Sequence, residues 1–143
     1  MSLQPPLVSA GAIWFAYLPT QTHPGDNASH VLDLSGPEAF GNGSLFANET
    51  AGVALTHRAL VNVDVHASCE HEVAIERHLA VQLDKGASGG LMERGTSCFV
   101  AGEGNAAYQG ILEQGHVVRT IVSAPGDEIA VTGGYVSVTA QPI

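Results

Sequence analysis

Apolar and polar residues alternate along much of this chain with a period of two. The clearest run is residues 59–67, where Ala59, Val61, Val63, Val65 and Ala67 alternate with Leu60, Asn62, Asp64 and His66. One face of such a segment is apolar and the other largely polar, as expected of a strand with one buried side. The same period recurs at Leu79, Val81 and Leu83 against Ala80 and Gln82. Residues 117–143 carry it again. Two β-branched runs flank a Pro125-Gly126-Asp127 turn, and a Gly133-Gly134 pair starts a third run. Pro fixes φ at a corner, Gly supplies positive φ, and Asp bonds its own backbone, so each suits a turn.

Residues 7–18 break the pattern in an informative way. Ile13, Phe15 and Tyr17 alternate with Trp14, Ala16 and Leu18, so both faces are apolar. Two readings follow: a first strand buried on both sides, or a strand whose second face meets another subunit. Residues 1–6, with Pro5-Pro6, form an extended arm. Residues 19–52 read as a long loop region with brief strands at 31–34 and 44–47. Further strands are expected at 53–55, 97–101 and 107–112, with turns at 86–95 and 102–105. A helix over 70–83 is conceivable from Val73, Arg77 and Ala80, but the Val/Leu alternation favours strand. The sum is an all-β chain of about eight strands. It is expected to form one antiparallel jelly-roll β-sandwich over residues 1–143.

Composition narrows the function classes. Charged residues are 13% of the chain, against roughly a quarter in ordinary soluble domains, while hydrophobic residues are 45%. Such a surface suits contact with other chains. Fourteen acids against five Lys+Arg give a net charge of -9, which argues against direct nucleic-acid binding and against an anionic membrane surface. Residues 7–18 are too short to span a bilayer, lack a basic start and stop at Pro19, so they read as strand rather than leader. Cys69 and Cys98 are too few for a disulfide framework and are expected as buried free thiols. The three N-x-S/T sequences, at Asn27, Asn42 and Asn48, read as polar loop composition.

Three segments together resemble a known pattern: RALVNVDVHAS at 58–68, HLAVQLDKG at 78–86 and VSAPGDEIAVTGGYVSVTAQPI at 122–143. They are similar to single jelly rolls of the TNF/C1q-like type, in which a polar Gly-Asp loop precedes the penultimate strand and the last strand runs in the core. Related small jelly rolls occur in bacteriophage head-decoration and fibre proteins. The resemblance covers roughly residues 52–143 and implies a homotrimer around an apolar axis. The chain departs from the pattern in the Gly133-Gly134 pair after Val131 and in lacking an aromatic-Gly-aromatic signature in the last strand.

Candidate chemistry is sparse. His66, Cys69, His71 and His78 lie close in sequence and offer N and S ligands suited to zinc. In a strand, however, His66 points away from Cys69 and His71, and no CxxC, HExxH or cupin-type His-x-His motif is present. The expectation is no cofactor and no metal, with those four as the candidates should one bind. Glu70, Glu72 and Glu76 read as solvated charges, and no nucleophile elbow or phosphate loop occurs. The chain is therefore expected to be no enzyme but a structural virion protein. As a capsid decoration or cement protein it would bridge major capsid protein subunits on the particle surface. The alternatives are a trimeric receptor-binding module and, further off, a cupin-like metal-binding protein. Ile13, Trp14, Phe15, Tyr17, Phe40 and Phe46 are the interface candidates.

Overall fold

A computed structural model of the chain describes residues 11–70, 76–126 and 128–143, and for Ser88 the backbone alone. The arm at 1–6, His71 and Asp127 of the expected turn lie outside the described residues. Twelve strands are present among those described: β1 (Ala12–Tyr17), β2 (Gln21–His23), β3 (His30–Val31), β4 (Ser35–Gly41), β5 (Phe46–Glu49), β6 (Gly52–Leu55), β7 (Ala59–Cys69), β8 (His78–Asp84), β9 (Leu91–Cys98), β10 (Glu103–Leu112), β11 (Val117–Ser123) and β12 (Ile129–Pro142). No helix among these residues is long and apolar enough to cross a membrane.

The strands form two antiparallel sheets. The front sheet runs β10-β7-β12-β1-β4, with β2 added against β12. The back sheet runs β5-β6-β11-β8-β9, with β3 added against β11. From β6 onward the chain passes between the sheets at almost every connection: β6 to β7, β7 to β8, β9 to β10, β10 to β11 and β11 to β12. This alternation between two packed sheets is the jelly roll that the periodicity predicted.

Each long strand buries the set its sequence period selects. Val61, Val63 and Val65 of β7, Leu79, Val81 and Leu83 of β8, and Val118 and Val122 of β11 meet between the sheets with Trp14 and Val138. Trp14 is 1% exposed, and its indole N–H donates to Asn48 Oδ1 at 2.8 Å. That bond removes the cost of burying a polar tip.

Strand β12 corrects the reading of two separate runs. It is one strand of fourteen residues, bulged between Val131 and Gly133 against β7. The extra residue flips the inward parity: Ile129 and Val131 are buried before it, and Val136, Val138 and Ala140 after it. Gly134 sits at φ +141, and a Cβ there would run into the His66 carbonyl, so the bulge needs glycine.

Three further expectations change. Among the described residues there are twelve strands rather than about eight: in residues 19–52, β3 and β5 lie near the brief strands expected at 31–34 and 44–47, while β2 and β4 stand where loop was expected. All seven residues of β4 are exposed, so no alternation marks it. The expected strand at 97–101 is displaced to β9, and the expected turn at 102–105 is the start of β10. β9 is an edge strand whose residues are mostly exposed, and edges carry little apolar signal.

Candidate assembly face

Alternation sends the second apolar set of β1 outward. Trp14 and Ala16 are buried, so Ile13, Phe15 and Tyr17 lie on the outer face of the front sheet. The strand is therefore buried on one side only, since Ile13 and Tyr17 are exposed. The register builds the face around these three. Ile13 pairs with Phe40 of β4 on one side and with Thr139 of β12 on the other. Tyr17 pairs with Tyr135, and Tyr135 with His66 of β7.

The rings touch as a connected group. Phe15 meets Tyr17 edge-on at 5.0 Å and stacks on Tyr135 at 5.6 Å. Tyr135 in turn lies 5.8 Å from the His66 ring. His66 Nε2 is 2.8 Å from Glu103 Oε2, and Nδ1 is 3.0 Å from Asn105 Oδ1. The Ser68 hydroxyl also donates to Glu103, at 2.9 Å to Oε2. Serine, histidine and a carboxylate thus stand together without forming a nucleophilic triad. Both Ser68 and His66 face the carboxylate, and the imidazole does not face the hydroxyl as a base must.

Among the described residues nine large hydrophobic side chains are exposed. Six of them, Ile13, Tyr17, Phe40, Leu60, Ile111 and Tyr135, belong to this sheet. Leu60 and Ile111 pair across β7 and β10 at the far side of the face. Between the two apolar patches Asn62, Asp64 and His66 project from β7 with Asn105 and Gln109 opposite them. A recess of about 310 Å³ opens there, lined in part by Asp64, Asn105, Ala107, Tyr135 and Ser137. The face is an aromatic corner joined to a polar, acidic half.

Of the expected interface residues, Ile13, Phe15, Tyr17 and Phe40 come together on this face. Trp14 does not, because its parity on β1 turns it into the core. Phe46 does not either: it lies on β5 of the back sheet, opposite Leu55, and packs half-buried against the core. The same face also exposes Tyr135, Leu60 and Ile111, which were not among the expected residues. They sat in the polar halves of their runs, and only strand register shows that they adjoin aromatic or apolar neighbours.

The candidate metal ligands among the described residues, His66, Cys69 and His78, do not converge. His66 is on the outer face of the front sheet, Cys69 is buried at the end of β7, and His78 opens β8 in the back sheet. Burial raises the Cys69 thiol pKa, with the nearby Arg77 charge opposing that shift. Both thiols are free, but Cys98 is exposed rather than buried, since it ends the edge strand β9. The one cluster of three metal-binding side chains among the described residues is Glu76, His78 and Cys98.

No protein-family model and no curated protein matches the sequence. Solved structures do match its shape. The PRD1 vertex protein P5 superposes with a TM-score of 0.66 at 11% identity, over 94% of this chain and 98% of that one. Murine APRIL superposes with a TM-score of 0.65 at 10% identity, over 91% and 98%. The globular domain of zebrafish complement 1qA gives 0.51 at 14% identity, over 91% and 96%. With the strand order and the crossings between sheets, these likenesses establish that the chain has the single jelly-roll fold of the TNF/C1q-like type.

Proposed function

We propose that this chain is a non-enzymatic structural protein of a virion. It assembles as a homotrimer through the outer face of the front sheet and decorates a capsid as a cement protein. The observation that carries the trimer is the concentration of exposed apolar side chains on that one face, six of nine. Exposed patches of this kind are normally covered by partners, and aromatic residues are the usual anchors of protein interfaces. A vertex protein among the structures of the same shape supports the virion setting.

Cement action is mechanical on this reading. A trimer seated across a junction binds the assembled shell but not the separated subunits, so its binding free energy adds to the stability of the shell. The major capsid protein is the proposed partner, and the loops around β2 to β5 are the proposed contacts. Nucleic acid and membrane have no part in it, in keeping with the net charge of -9.

A trimeric receptor-binding module of TNF/C1q-like or lectin-like type is the second reading, favoured by the likeness to APRIL. Purified particles separate the two. A decoration protein is present at a copy number in fixed proportion to capsid subunits, and a fibre or tip module at a few copies per particle. Absence from particles, with the gene in a metabolic operon, overturns the virion reading altogether.

A further inference from the structure

The cluster Glu76, His78 and Cys98 lies on the opposite side of the sandwich from the aromatic face. His78 and Cys98 are directly paired across β8 and β9, so their side chains project from the same side of the back sheet. Leu79 points into the core, so His78 points outward. Glu76, two residues earlier, brings its carboxylate Oε1 to 3.1 Å from His78 Nε2 and 3.9 Å from Cys98 Sγ. All three donor atoms lie within 4.8 Å of one another.

These distances suit one small cation. Zinc bonds of 2.0–2.3 Å in tetrahedral array place neighbouring ligand atoms about 3.3–3.6 Å apart. The oxygen–nitrogen and oxygen–sulfur separations bracket that range and the nitrogen–sulfur separation is at most 4.8 Å, so side-chain rotation of up to about an ångström closes the set around an ion with such bonds. The donors are one nitrogen, one oxygen and one sulfur, a mixture that suits zinc better than calcium or magnesium, which take oxygen. A carboxylate and a thiolate together cancel the two positive charges of the ion. Glu76 and His78 also border a shallow recess of about 190 Å³ with Asn27, Ser123, Ala124 and Pro125. That recess leaves room for a water as fourth ligand.

We propose that Glu76, His78 and Cys98 form a zinc site. Binding displaces the thiol proton of Cys98 to solvent and leaves sulfur, imidazole nitrogen and carboxylate oxygen on the ion. The ion ties the first residue of β8 to the last residue of β9 and fixes the chain where it enters β8. The site was hidden in sequence because Cys98 stands twenty residues beyond His78, and only the β8–β9 register brings them together.

The test uses the full chain, zinc or cobalt salts, and the variants Cys98→Ser and His78→Ala, with Cys69→Ser as a control. After incubation with zinc and desalting, the parent chain is expected to keep one zinc per chain by elemental analysis. The first two variants are expected to bind at least about tenfold more weakly, and the control to bind as the parent does. Cobalt should give four-coordinate visible bands with a thiolate charge-transfer band that Cys98→Ser removes. Zinc should also slow alkylation of Cys98. Circular dichroism without metal checks that the variants fold. No retained zinc, uptake unchanged in both variants, or a cobalt spectrum without a sulfur band would each overturn the site. The aromatic face takes no part in any of these readings, so failure here leaves the trimer untouched.

Discussion

On the front sheet the outward positions of β1 are Ile13, Phe15 and Tyr17, joined across strands by Phe40 and Tyr135. On the back sheet the outward positions of β8 and β11 are His78, Ala80, Gln82 and Asp84 with Val117, Arg119, Ile121 and Ser123; Ala80, Val117 and Ile121 are buried, and at the polar positions Arg119 Nη1 pairs with Asp84 Oδ2 at 3.1 Å. Both sheets bury the same kind of inner face, rich in valine and leucine. The inner faces set the fold, and so they look alike. The outer faces differ, and the proposed assembly surface rests on that difference: the front sheet exposes a group of aromatic and aliphatic side chains, while the exposed outward residues of β8 and β11 are polar.

The largest effect is expected from the inner face of the front sheet. Trp14→Ala removes the largest buried ring and should cost about 3–5 kcal/mol, read as a lower urea midpoint with an unchanged slope. Turning one residue outward reverses the kind of effect. Tyr17→Asp should change the stability of the isolated chain by less than about 1 kcal/mol, yet weaken self-association by about 2 kcal/mol or more per interface. Sedimentation across a concentration series reads this. If Tyr17→Asp unfolds the chain instead, the outer ring is structural and the comparison fails.

How far the sequence foretold this contrast depends on the strand. In β7 the alternation stated which side is buried, and the structure follows it; in β8 Leu79, Val81 and Leu83 are buried as stated, but so is Ala80 of the other set. In β1 both sides were apolar, and nothing in the string told Trp14 from Phe15; parity relative to a known inward neighbour decides that. In β12 one extra residue at the bulge switched parity and made one strand look like two. β4 and β9 lie at sheet edges with exposed residues, so no hydrophobic pattern announced them. The face itself draws on β1, β4, β7, β10 and β12. Its membership is a matter of register, which local patterning does not carry. Four residues of it were legible, and Tyr135, Leu60 and Ile111 were not.

Smaller effects sharpen the comparison at its margins. Ile111→Ser lies in the satellite patch with Leu60, across the polar half from the aromatic corner. It should weaken self-association by under about 1 kcal/mol, as rim positions do, in the same sedimentation series. On the back sheet, Asp84→Asn should leave association unchanged.

Asp84 also gives the smallest effect, a pH dependence. The Gly86 backbone N–H first, and the Arg119 guanidinium second, hold the Asp84 carboxyl below the ordinary value of 3.8. The folded state therefore binds this proton less readily than the unfolded chain does. The stabilisation is present above about pH 4 and is lost as pH falls through the lower folded value. Asp84→Asn should be slightly less stable than the parent at pH 7, and its stability should fall less steeply below pH 4. Thermal unfolding between pH 7 and pH 2 compares the two.

The central claim is that the outer face of the front sheet is an assembly surface. Light scattering coupled to size exclusion, run on the full chain at micromolar concentration, tests it most directly. The expected result is the mass of three chains for the parent, falling to one for Tyr17→Asp. A parent that elutes with the mass of a single chain across the whole concentration range would contradict the account.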